Sequence, residues 1–119
     1  MDIEAFREYC LSKKGVTEGF PFDEKTLVFK VMNKMFALAG LEHNPSTANL
    51  KCDPERSIEL RETYPDDVQP GYHMNKKHWN TVLLEGELSD KMMLELIDHS
   101  YDLVAAKLKK ADKEVLKNL

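Results

Sequence analysis

Two β-rich runs, Thr26-Leu27-Val28-Phe29-Lys30-Val31-Met32 and Met35-Phe36-Ala37-Leu38-Ala39, are separated only by Asn33-Lys34. A parallel neighbour needs a crossover of about a dozen residues or more, so this link predicts a tight antiparallel hairpin. Asn33 tolerates positive φ, whereas Lys34 stands where a type I′ turn favours glycine. A third run, Thr47 to Cys52, sets Ala48, Leu50 and Cys52 against Thr47, Asn49 and Lys51. Such alternation predicts a sheet with one buried and one wet face. Farther on, Trp79, Thr81 and Leu83 alternate with Asn80, Val82 and Leu84 after an irregular stretch from Val68.

Helical signals flank these runs. Asp2 is placed to cap a helix to Lys14, with Ile3, Phe6 and Cys10 on one face and Gly15 as its C′ residue. Asp53-Pro54-Glu55 supplies a cap, an N1 proline and a first-turn acid for a helix to about Tyr64, before Pro65. Its sparse apolar content (Ile58, Leu60, Tyr64) predicts packing at the domain edge. Ser89 opens a longer helix with a stripe of Met93, Leu96, Ile97, Ser100, Tyr101, Val104 and Leu108, and Leu88 can staple onto Met93. The order is helix, three strands, helix, one or two strands, helix. It predicts an α+β two-layer sandwich, with an antiparallel sheet covered on one face by helices. Phe6, Phe29, Leu38, Leu50, Leu96, Ile97 and Val104 are expected in one core. One domain spans 1–119, and its charge-rich last residues, 110–119, are expected to fray.

Charge narrows the function classes. Seventeen Lys+Arg against twenty-one Asp+Glu give a net charge of −4, which argues against broad charge-driven nucleic-acid binding. No run approaches the roughly 18 apolar residues of a membrane span, and Met1-Asp2-Ile3-Glu4 does not open a signal peptide. Cys10 and Cys52 stand far apart and read as buried hydrophobes of a reduced compartment. A cytoplasmic protein with no membrane partner is expected.

The glycines never fall into a phosphate- or dinucleotide-binding spacing, and no serine sits in a nucleophile elbow. Glu59/Glu62, Asp66-Asp67 and Asp98/Asp102 have the spacing of solvated faces and turns rather than of acid–base pairs. His73 and His78 are five residues apart. Two adjacent strands could bring them together, but a structural hydrogen-bonder and an exposed ring are favoured over a metal site. His99 reads as a boundary residue. No cofactor, no metal and no catalysis are expected.

One stretch departs from the rest: Pro70-Gly71-Tyr72-His73-Met74-Asn75-Lys76-Lys77-His78-Trp79-Asn80-Thr81. It holds the only tryptophan, and no Asp or Glu occurs between Asp67 and Glu85. Lysines interleaved with aromatic and amide side chains suit phosphates and bases. The bland alternative is a core Trp79 beside a solvated turn.

The stretch Pro70 to Val82 resembles the signature of the MmcQ/YjbR-like family of small bacterial proteins. The likeness continues through Phe20-Pro21-Phe22-Asp23, Thr26 to Val31, Lys34 to Leu38 and Leu50 to Glu55. It covers nearly the whole chain. The resemblance implies a frataxin-like (CyaY-like) sandwich, a double-wing DNA-binding arrangement and no established enzymatic activity. It carries over to Tyr72, His73, Asn75, Lys76, Lys77, His78 and Trp79, with Lys30 and Lys34 as wing residues by position. A weak, local DNA-binding or regulatory domain is therefore the first expectation. A protein- or small-ligand-binding module with Tyr72, His73 and Trp79 as a pocket floor is the second.

Overall fold

The computed structural model describes residues 1–42, 44–72 and 74–119. Its elements are α1 (Ile3–Leu11), β1 (Val16–Gly19), β2 (Thr26–Val31), β3 (Lys34–Gly40), β4 (Thr47–Lys51), α2 (Pro54–Thr63), β5 (Val68–Pro70), β6 (Trp79–Leu83), α3 (Asp90–Ala106) and α4 (Lys110–Lys117). The strands form one six-stranded sheet in the order β1-β2-β3-β4-β6-β5, every pair antiparallel. With helices packed on one side, this is the α+β two-layer sandwich that the strand spacing predicts. Among the described residues, no helix is long and apolar enough to cross a membrane.

The hairpin turn lies one residue earlier than expected. Val31 pairs with Lys34, so Met32 and Asn33 form the turn, with φ of 47° and 68°. Positive φ is uncommon for methionine. Here the Met32 amide donates to the Gly15 carbonyl at 3.2 Å, and the side chain packs on the core.

A β-bulge then resets the alternation of β3. Phe29 pairs with Ala37 but Lys30 pairs with Met35, which leaves Phe36 as the extra residue. Phe36, Ala37 and Ala39 all belong to the helix-covered core. Leu38, expected in that same core, instead lies on the opposite face with Val28 and Trp79. Unbroken alternation would have put Phe36 and Leu38 on one side; the bulge separates them.

The helix layer follows its sequence signals closely. Asp2 accepts from the Ala5 amide at 2.8 Å, and Ser89 accepts from the Met92 amide at 3.1 Å. From α3, Met93, Leu96, Ile97, Ser100 and Val104 are buried, and Leu88 joins the same core as Met93. Phe6 of α1 meets Phe29 edge-to-face, with centroids 6.0 Å apart. Ser100 donates its hydroxyl to the Phe36 carbonyl and accepts from the Lys51 amide, which ties α3 to β3 and β4.

Two segments differ from expectation. Helix α1 stops at Leu11, and Gly15, at φ 73°, turns the chain into the edge strand β1. Residues 110–117 form α4 rather than a frayed tail. Leu116 packs against the core beside Gly15, where an added Cβ would lie 2.7 Å from its Cδ1. Leu116 thus docks α4 on the core, while Val115 of the same helix stays exposed.

Candidate functional site

Among the described residues, no helix contributes to the second face of the sheet. Its apolar cluster is Val28, Leu38 and Trp79, with Met35 and Met74 packed against it. A groove of about 540 Å³ crosses this face, its lining including Leu38 of β3 and Asn49 of β4. Phe22 borders it from the segment before β2, and Tyr72 from the segment after β5; each is 65% exposed. Two exposed rings beside a concave surface of mixed polarity make this face a candidate for binding.

The loop carrying Tyr72 is held by its own backbone. The Gly71 amide donates to the Trp79 carbonyl at 2.9 Å, and the Trp79 amide donates to the Asn75 carbonyl at 3.0 Å. The Lys77 amide donates to the Asn75 side-chain oxygen at 2.9 Å, so Asn75 shapes the loop. A Cβ at Gly71 would meet Trp79 Cβ at 2.9 Å, so the close return of the chain requires glycine. From α2, Arg61 donates to the Asn80 side-chain oxygen at 2.8 Å and to the Lys76 and Trp79 carbonyls. Arg61 clamps the loop to the helix layer, a role that nothing in its local sequence signalled.

Of the residues singled out from sequence, Lys76 and Lys77 are exposed and His78 is half-buried, its carbonyl accepting from the Cys52 amide at 2.8 Å. Trp79 is buried beneath the second face and does not line the groove as a floor. Lys30 is half-buried opposite Thr17 of β1, beside Phe20 and Pro21. His73 lies outside the described residues, and with it the pairing of His73 and His78.

Topology collects charge that the linear sequence disperses. Strands β2 and β4 end where β3 and β6 begin, so Lys30, Lys34, Lys51, Lys76 and Lys77 approach one end of the sheet. There Lys34, Met35, Lys51, Val104 and Lys107 surround a recess of about 240 Å³. Burial, then the charge of Lys107, hold the Lys51 ammonium below the usual lysine range. Asp53 is also at this end, but its carboxylate accepts from the Glu55 and Arg56 amides. At the opposite end, β2 and β4 begin and β3 and β6 finish, near Asp23, Glu24, Glu42, Glu85 and Glu87. The Lys25 and Thr26 amides hold the Asp23 carboxyl below its ordinary range.

Phe22, Asn49, Lys51 and Lys107 join the site without standing out as site residues in the sequence. The wet positions of the third strand run include Asn49 and Lys51, which was the available signal. Lys107 and Lys51 are far apart in the chain, and only the packing of α3 on β4 brings them together.

A model of the family described as YjbR matches residues 11–103. The chain is 34% identical over 119 residues to the Uncharacterized protein YjbR of Escherichia coli K12, covering all of both chains. It is 39% identical over 111 residues to the Uncharacterized protein YbdF of Escherichia coli O157:H7, covering 93% of this chain and 90% of that one. Among solved structures, the Deinococcus radiodurans protein DR2400, with its DUF419 domain, superposes with a TM-score of 0.90 at 42% identity. That match covers 97% of this chain and 87% of the other. A Pseudomonas syringae protein superposes with a TM-score of 0.72 at 30% identity, covering 87% and 99%.

Proposed function

The chain belongs to the YjbR family, and on that footing we propose that it is a nucleic-acid-binding domain without chemistry of its own. The observation that carries this reading is the gathering of lysines at one end of the sheet, beside an uncovered face, in a protein of net charge −4. A local array of ammonium groups supplies phosphate contacts that the overall charge would deny. Binding rather than catalysis also fits the nucleophile candidates. Burial pushes the Cys10 thiol up to about 12 and raises that of Cys52 as well. His99 is occupied as an acceptor, at 3.1 Å from the Asp53 amide.

Affinity is expected to be modest, within the range of about 10⁻⁴–10⁻⁶ M typical of non-specific binding. Fluorescence-anisotropy titration of labelled DNA at low salt is the test. Affinity should fall as salt rises, and Lys76→Glu with Lys77→Glu should abolish it while the thermal midpoint stays near that of the parent. No binding at tens of micromolar (roughly the middle of that range), or a double variant that binds like the parent, would overturn the reading.

A further inference from the structure

We propose that the groove across β3 and β4 takes up an unpaired nucleobase, so that this domain prefers single-stranded to duplex nucleic acid. The inference rests on the nucleic-acid reading and assigns the groove a role within it. Phe22 and Tyr72 expose their rings in its lining, to which Leu38 and Met35 add apolar surface. A planar ring laid there would cover aromatic and thioether surface that otherwise faces water, the stacking contact that single-strand binders use.

The polar groups suit a base edge. The Tyr72 amide donates to Thr81 Oγ1 at 3.0 Å, and Thr81 Oγ1 donates to Asn49 Oδ1 at 2.6 Å. That chain engages the amide oxygen of Asn49, so the group Asn49 can offer a ligand is its NH₂, a donor. A base acceptor is the matching partner.

Charge sets the orientation. Met35 lines both the groove and the recess of Lys34, Lys51 and Lys107, so the groove is continuous with the lysine end. At the far end stands Asp23, whose carboxylate is already held by the Lys25 and Thr26 amides and whose negative charge repels phosphate. A strand would therefore lay its phosphates toward the lysines and point a base toward Phe22 and Asp23. In a duplex the bases are stacked inside, and none reaches the groove without being extruded.

The test compares a short mixed-sequence single strand with the matching duplex, using the full chain at low salt. The single strand should bind more tightly, and Phe22→Ala and Tyr72→Ala should each weaken it roughly tenfold. Tyr72→Phe, which keeps the ring, should bind like the parent. Trp79, packed against Leu38, should change its emission as the groove fills. Lys51→Gln should weaken both substrates. If Lys51→Gln weakens binding while both alanine variants bind like the parent, the groove is not a base site, although nucleic-acid binding stands. Equal or tighter duplex binding also overturns the inference. If neither substrate binds, the underlying reading falls with it. Both alanine sites are solvent-exposed, and matching circular-dichroism melts would show that lost affinity is not lost folding.

Discussion

The two faces of the sheet are built from the same strands and solve different problems. On the covered face, Phe29 and Phe36 of the sheet meet Phe6 of α1 and Met93 and Ile97 of α3, all fully buried. On the other, Val28, Leu38 and Trp79 are nearly as well shielded, yet their cover is Met35, Met74 and short connecting segments. The contrast shows that burial alone does not identify a core. A side chain sealed beneath a helix is closed in by rigid packing, whereas one beneath loops borders a space that something else can enter.

Leu50 and Leu38 put that contrast to its sharpest test. They lie on adjacent paired strands, 2% and 5% exposed, and face opposite ways. Leu50→Ala should lower unfolding free energy by about 3–4 kcal/mol, because it leaves a sealed cavity. Leu38→Ala should cost only about 1–2 kcal/mol, because the vacated volume merges with a solvent-filled groove and only the transfer contribution is lost. Urea midpoints of the two variants measure the difference directly; equal losses would show the faces to be energetically alike.

A second comparison concerns how the covered face is fastened. Ser100→Ala removes a buried hydroxyl that serves both the Phe36 carbonyl and the Lys51 amide. The expected loss is about 1–3 kcal/mol, since two backbone groups lose a partner at once. Hydrogen exchange at the Lys51 amide should accelerate with it.

The smallest expected effect is a pH dependence at the edge of the covered face. Burial and the nearby Arg56 hold the His99 imidazole below its ordinary pKa, against the opposing pull of Asp53 and Asp102. The folded state thus favours the neutral ring, whose Nε2 accepts from the Asp53 amide. This contribution is present above the unfolded value of about 6.5 and is lost as pH falls below it, because the unfolded chain takes up the proton first. His99→Gln should flatten the fall in melting midpoint across that window. An unchanged slope would assign the dependence to other groups.

Much of this architecture was readable from residue order. Period-2 alternation in residues 47–52, the capped stripe from Ser89 and the two-residue link after β2 determined the sheet type and its helical layer. What escaped has identifiable causes. Val16-Thr17-Glu18-Gly19 forms an edge strand with few apolar residues, so its pairing is dictated by β2 rather than by its own pattern. The bulge at Phe36 breaks alternation without a glycine or proline to mark it. Helix α4 depends on Leu116 finding Gly15, a contact between the two ends of the chain. The site was half legible. The segment from Tyr72 to Trp79 stood out by composition, yet Phe22, Asn49, Lys51 and Lys107 become neighbours of it only through the sheet order and the packing of α3.

The gathering of lysines at one end of the strands has a consequence, on the nucleic-acid reading, for how the molecule would meet a polyanion. As a monopole of −4 it is repelled by any polyanion. The local lysine array would nonetheless turn that end toward such a partner before contact. Encounters would then be fewer than for a basic protein but already aligned, so that orientation rather than attraction sets the association rate. That alignment would operate only within a screening length, about 8 Å at physiological ionic strength and 30 Å at 0.01 M, so added salt should remove the guidance while it also relaxes the net repulsion.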